Sequence, residues 1–260
     1  MMEGLVQFDR ENNIAPCIAK SWTISEDALT YTFTLRNDVF FHDNPCFSNS
    51  KGRKVNASDF KYCLERVNNP ESKSRGQWVF RDKIKGAKEF IDYHFDIASM
   101  EVKEIAGVKA VNDSTLQIEL TKPFSPFLSI LTMSYGFVYP KEAVEYYKDK
   151  FGQNPVGTGP FRFVKWDIDK ELIYEKNKSY REKDKNGNSL PYLDGIKITF
   201  TQSSETEFLD FQNGKYDYHE PSSETYDQLV DPNGNLINAS DKNYILNKQP
   251  WLQTVFFGMM

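Results

Sequence analysis

The side chains able to do chemistry are few and scattered. The three histidines, His42, His94 and His219, share no metal-ligand spacing, and no H-E-x-x-H pair occurs. Cys17, Cys46 and Cys63 are odd in number and contain no C-x-x-C, so neither a zinc knuckle nor a redox pair is expected. They read as free, mostly buried thiols, with one disulfide left open should the compartment be oxidising. "DKNGNS" (184–189) and "DPNGN" (231–235) begin like calcium loops. A calcium loop needs a bidentate Glu at its twelfth position, and Gly195 and Lys242 stand there instead, so both read as polar turns. No G-x-S-x-G elbow is present, and neither the cysteines nor the carboxylates single out a nucleophile or an acid–base pair.

The stretch "NPVGTGPFRFVKW" (154–166) raises the question of a phosphate cradle. A phosphate loop presents several amides and leads into a helix, whose N-terminal dipole favours the anion. Here Pro160 removes an amide donor and an alternating strand pattern follows. The segment therefore reads as a structural crossover, with Gly157 and Gly159 expected to adopt backbone angles that other residues avoid.

The rest of the chain must position whatever site exists. Its 260 residues suit one large domain or two small ones. Hydrophobic content is 39%, but aromatics reach 15%, so the core is expected to rest on phenylalanine and tyrosine. A net charge of −5 with no basic stripe argues against a nucleic-acid partner. No apolar run is long enough for a membrane helix, and the first residues lack the pattern of a signal peptide.

Periodicity places several elements. "LTYTFTLRN" alternates, with Thr30, Thr32 and Thr34 on one face and Tyr31, Phe33 and Leu35 on the other: a half-buried strand. Phe60, Cys63, Leu64 and Val67 mark an amphipathic helix, capped by Asn56 or Ser58 and stopped before Pro70. A second helix, weakened by Gly86, is expected near residues 82–95. A hairpin turns at Asn112-Asp113, and two short helices follow, the later one stopped by Gly152. Beyond the crossover come two alternating arms around "DIDK", a strand with Ile196, Ile198 and Phe200 on one face, and a helix, a turn at Gly214 and a short strand. A final strand pair runs into "TVFFGMM". That apolar ending predicts that the fold continues past Met260. Trp78, Trp166, Trp251, Phe256 and Phe257 are able to serve either core or cleft.

These segments, taken in order, resemble the family 5 extracellular solute-binding proteins, which serve ABC importers of oligopeptides, dipeptides and nickel. The resemblance rests on "EGLVQFDRENNIAPCIAKSW", "DALTYTFTLRNDVFFHD", "KVNASDFKYCLERV", "NPVGTGPFRFVKW", "LPYLDGIKITF" and "FQNGKYDY", and runs along nearly the whole chain. Two loops depart from it by their length, "HDNPCFSNSKGRKVNA" and the one spanning 183–189.

The resemblance implies a mixed α/β fold of the periplasmic-binding-protein type II class, without its second lobe. Residues 1–157 would form an accessory domain inserted in the first lobe, and residues 158–260 part of that lobe, ending at the hinge strand. It further implies capture of a peptide or similar small solute between lobes, and delivery to a membrane permease. No catalysis, cofactor or metal is implied. The location would be periplasmic or cell-surface, with any lipid anchor outside this chain. One wall of the cleft would come from Trp78 and Phe256 as stacking or apolar groups, and from His219, Glu220 and Gln253 as polar contacts. Nickel chelates, haem, oligosaccharides and signalling peptides remain open as ligands. A peptide-acting hydrolase and an interaction module without a solute are the alternatives from other classes.

Overall fold

A computed structural model describes residues 1–95, 102–237 and 244–248. The chain divides into two compact units, Met1–Ile198 and Thr199–Met260. The expected crossover at 157–159 lies inside the first of them.

The first unit opens with two short antiparallel strands, β1 (Val6–Phe8) and β2 (Ile14–Pro16). Asp9 closes their turn by accepting from the Glu11 and Asn13 amides. Strands β3 (Ala19–Ile24) and β4 (Thr30–Leu35) then pair as a hairpin. In β4 the alternation holds as expected: Tyr31, Phe33 and Leu35 are buried and the three threonines are half-exposed.

Helix α1 (Ala57–Asn68) buries Phe60, Cys63, Leu64 and Val67, the positions its period predicts. Asn56 is the cap. Its side chain accepts from the Asp59 amide at 3.1 Å, while the Asp59 carboxylate accepts from the Asn56 amide at 2.9 Å. Asp59 also holds Arg53, whose guanidinium reaches Glu142 at 2.6 Å, so one arginine ties the loop before α1 to a later helix.

Helices α2 (Gln77–Phe80) and α3 (Ala87–His94) follow. Gly86 does not weaken α3 from within; it caps its start at φ 80°, where a Cβ would lie 2.8 Å from the Ala106 amide nitrogen. Strands β5 (Val108–Asn112) and β6 (Thr115–Glu119) complete an antiparallel sheet of order β3-β4-β6-β5, and α1 packs against β5 and β6. Phe33, Phe60, Phe80 and Phe127 are fully buried at this interface and around it, as the aromatic-rich composition implies. Burial of each such side chain contributes about 2–3 kcal/mol.

Helices α4 (Phe127–Leu131) and α5 (Lys141–Tyr147) are the two short ones expected. Gly152 does not stop α5. The helix ends at Tyr147, Lys148 takes φ 50°, and Gly152 lies inside a following 3-10 stretch, Lys148–Gln153. The arms around "DIDK" are β7 (Phe161–Asp167) and β8 (Glu171–Lys176), antiparallel, with β9 (Gly195–Thr199) beside β8.

In the second unit, α6 (Ser204–Gln212) ends at a turn with Gly214 at φ 74°. The short strand expected next is not formed, because Tyr216 and Tyr218 find no pairing partner among the described residues. Helix α7 (Ser223–Leu229) follows, and Phe208, Leu229 and Val230 form a small core. The final strand pair lies outside the described residues, apart from 244–248, which are irregular. No described helix is long and apolar enough to cross a membrane.

Candidate functional site

The Gly-Thr-Gly crossover settles first. The Thr158 and Gly159 amides, which a phosphate would need, both donate to the Met1 carbonyl, at 3.1 and 2.7 Å. The Gly157 carbonyl accepts from the His42 amide at 2.7 Å. Neither glycine has a positive φ, contrary to expectation. They are required for close approach instead: a Cβ on Gly157 would lie 2.3 Å from the Met1 carbonyl oxygen, and one on Gly159 2.8 Å from it.

Beneath this contact is a buried polar cluster. Glu3, 8% exposed, accepts from the Thr158 hydroxyl at 2.7 Å and the Tyr180 hydroxyl at 3.0 Å. It also takes both terminal nitrogens of Arg181, at 2.9 and 2.8 Å. Burial by itself would raise the Glu3 carboxyl. The Arg181 guanidinium, with the two hydroxyls, outweighs it and holds the carboxyl below its ordinary value. The same burial, reinforced by Glu3, pushes the neighbouring Cys17 thiol up to about 12. Cys17 and Cys63 are buried, Cys46 is partly exposed, and all three are free thiols.

The two polar turns are turns. Asp184 accepts from the Asn186 and Asn188 amides at 2.8 Å each, and from the Tyr192 hydroxyl at 2.6 Å. The Tyr192 hydroxyl and the Asn188 side chain hold its carboxyl down at about 2. Asp231 accepts from Asn233 and Asn235 in the same way.

Of the expected wall residues, Trp78 belongs to the first unit. It sits on α2, which Val79 and Phe80 anchor in the core, and its own side chain is left 63% exposed. A Cβ on Gly76, just before α2, would strike the Tyr135 ring at 2.3 Å.

His219 and Glu220 belong to the second unit, where both line a cleft of about 1570 Å3 with Phe211, Tyr216, Tyr218 and Leu229. The His219 ring lies between Phe208 and Phe211, with centroids 5.5 and 5.4 Å away, and only 2% of its side chain is exposed. Its Nδ1 donates to the Glu207 carboxylate at 3.0 Å, and its Nε2 is buried and without a partner among the described residues. Glu220 is exposed. Gln253 and Phe256 lie outside the described residues. Sequence reasoning passed over Tyr216 and Tyr218, of which Tyr218 is 74% exposed; the alternation in "KYDYHE" was the available signal.

A family model for the bacterial extracellular solute-binding proteins, family 5 (middle region), matches residues 13–259. The chain belongs to this family. Its family 5 relatives include the dipeptide-binding protein DppE of Bacillus subtilis, 28% identical over 243 residues, which are 92% of this chain and 41% of that protein. The oligopeptide-binding protein SarA of Streptococcus gordonii is 32% identical over 208 residues, 77% of this chain and 29% of that one. Among solved structures, Listeria monocytogenes OppA bound to peptide matches with a TM-score of 0.71 at 27% identity, over 83% of this chain and 40% of that one. DppA from Helicobacter pylori in complex with the peptide STSA matches with a TM-score of 0.67 at 29% identity, over 88% and 42%. The chain therefore spans less than half the length of these relatives. All four are binding proteins and none is named as an enzyme, and the mixed fold expected of the family is the one observed.

Proposed function

We propose that this chain is part of the substrate-binding component of an ABC importer, capturing peptides or similar small solutes between two lobes and passing them to a membrane permease outside the cytoplasm. The observation carrying this reading is the family match along 13–259, joined to relatives named for binding dipeptides and oligopeptides. Capture by lobe closure needs a ligand that touches both lobes, since only differential contacts shift a hinge equilibrium.

In this reading residues 1–157 are the accessory domain and 158–260 part of the first lobe. The wall offered to the ligand is Trp78, His219, Glu220, Gln253 and Phe256. Trp78 supports the assignment by its exposure on an anchored helix. His219 supports it by its Nε2, a polar atom without a partner among the described residues.

Native mass spectrometry of the protein purified from its host, followed by titration with peptides of graded length, tests the reading. Peptide-sized adducts are expected. Trp78→Ala is expected to weaken affinity about tenfold, as loss of a stacked aromatic contact does, with an unchanged melting temperature. Binding of a sugar or metal chelate in preference to every peptide would refute the peptide assignment.

A further inference from the structure

Exposed large apolar side chains concentrate between Val164 and Phe200, on and around the three-stranded sheet β7-β8-β9. Strand pairing assigns them to faces, because residues opposite each other in antiparallel strands stand on the same side. Phe163 lies opposite Tyr174, and Trp166 opposite Leu172. The register shift between Phe163 and Lys165 moves the alternation by one, so all four share one face.

The other face is charged. Arg162 lies opposite Glu175 and pairs with it, and Lys165 pairs with Glu171 at 3.0 Å. Lys197 of β9 reaches the same Glu171 at 2.9 Å, so it also stands on the charged side. Alternation along β9 then puts Ile196 and Ile198 on the apolar side. The sheet is therefore amphipathic, with its ion pairs on one face and six large apolar side chains on the other.

None of those six belongs to, or packs against, either buried core among the described residues. Trp166 and Ile198 are each 41% exposed and Ile196 36%, while Phe163, Leu172 and Tyr174 are half-buried. Together they leave on the order of 400 Å2 of apolar surface in water, a size at which a patch marks an interaction site. Pairing further strands onto β9 would leave this surface wet. Only a second layer stacked on the face, about 10 Å away, removes it from water.

The chemistry of the face indicates what that layer is. The six side chains carry no charge, so the face offers nothing that selects a charged partner and nothing that repels its own copy across a two-fold axis. An apolar area of about 400 Å2 at the two-thirds apolar share of homodimer contacts corresponds to about 600 Å2 per copy. That is somewhat below the ~800 Å2 per partner of a standard interface, which is the range of weak, reversible association.

We propose that the 260-residue chain forms a weak two-fold dimer by stacking the apolar faces of β7-β8-β9 from two copies. Phe163, Trp166, Leu172, Tyr174, Ile196 and Ile198 form the contact, and the charged faces point outwards into water. The inference does not rest on the solute-binding reading, and peptide titrations and self-association are read separately.

Sedimentation velocity of the 260-residue chain over a wide concentration series tests this. A reversible shift from monomer to dimer is expected, with half-dissociation at about 10–100 μM. Ile198→Asp sets two like charges against each other across the axis and is expected to weaken the dimer more than tenfold. Its melting temperature at low concentration should match the wild type, because Ile198 packs on neither core. Ile24→Asp alters an equally exposed isoleucine of β3 and is expected to leave the dimer intact. A face covered from within its own chain, or by an unrelated protein, predicts a monomer at every concentration, and that result overturns the proposal. So does a mass that climbs past the dimer, a dimer that Ile198→Asp leaves intact, or one that Ile24→Asp weakens equally.

Discussion

At the scale of single residues, burial decides what the ionisable groups do. His42 is the clearest case: its ordinary pKa of 6.5 falls to about 4 because desolvation disfavours the charged ring. The unfolded chain therefore binds the proton first as pH falls from 6.5 to 4, and stability must drop across that window. The integrated loss is about 3 kcal/mol for this one group. Denaturant unfolding across this range should show it, and His42→Gln should flatten the profile. An NMR titration of the wild-type ring that returned a pKa near 6.5 would contradict the account. Glu3 acts in the same direction. Its folded pKa lies below 4.5, so its contribution is full above that value and is lost as pH falls through the folded one. None of this was legible from residue types, since Glu3, Thr158 and Arg181 are far apart along the chain and meet only in the folded unit.

At the scale of elements, local signals succeeded where they were redundant. Helix α1 carried a cap, a four-position apolar stripe and a stop before Pro70, and all three were realised. The hairpins were legible because alternation marked both strands and a turn joined them. Glycines were read less well, because one residue type serves several purposes. Gly86 starts a helix, Gly152 sits idle within a 3-10 stretch, and Gly157 admits the Met1 backbone. The contrast is measurable. Gly157→Ala should destabilise by about 2 kcal/mol or more, since the obstacle is backbone and cannot rotate away. Gly152→Ala, with nothing within 4 Å of the added methyl, should change stability by less than about 0.5 kcal/mol. Thermal melts of the two variants side by side decide this, and equal effects would refute it. The strand expected after Gly214 failed for a different reason. Alternation in Tyr216 and Tyr218 is a local property, whereas a strand exists only if a neighbour accepts its hydrogen bonds.

At the scale of the molecule, the two units differ in how much they bury. The first contains one continuous core, from Leu5 to Val156, spanning both the four-stranded sheet and its helices. Among its described residues, the second has Phe208, Leu229 and Val230 as its buried core. Residues 1–199 expressed alone, which keep β9 whole, should therefore unfold cooperatively, with a midpoint within a few degrees of the 260-residue chain. Circular dichroism melts check this; a broad, non-cooperative transition would mean that the first unit depends on the second. The proposed solute-binding role belongs to this scale as well, since in that reading a ligand held between lobes draws on more than the proposed wall.

The sequence by itself determined the family, the mixed fold and most elements of the first unit, because ordered motifs and hydrophobic period are local properties that survive in one dimension. It also argued against a phosphate loop at 154–166, from the proline that removes a donor and the strand that replaces a helix. Tertiary structure alone decided why those glycines are needed, which partners hold Glu3, and which face of the β7-β8-β9 sheet stays uncovered among the described residues. Each of these depends on groups far apart in the chain meeting in space, and burial, which sets their charge and hydrogen-bonding state, exists only after the chain has folded.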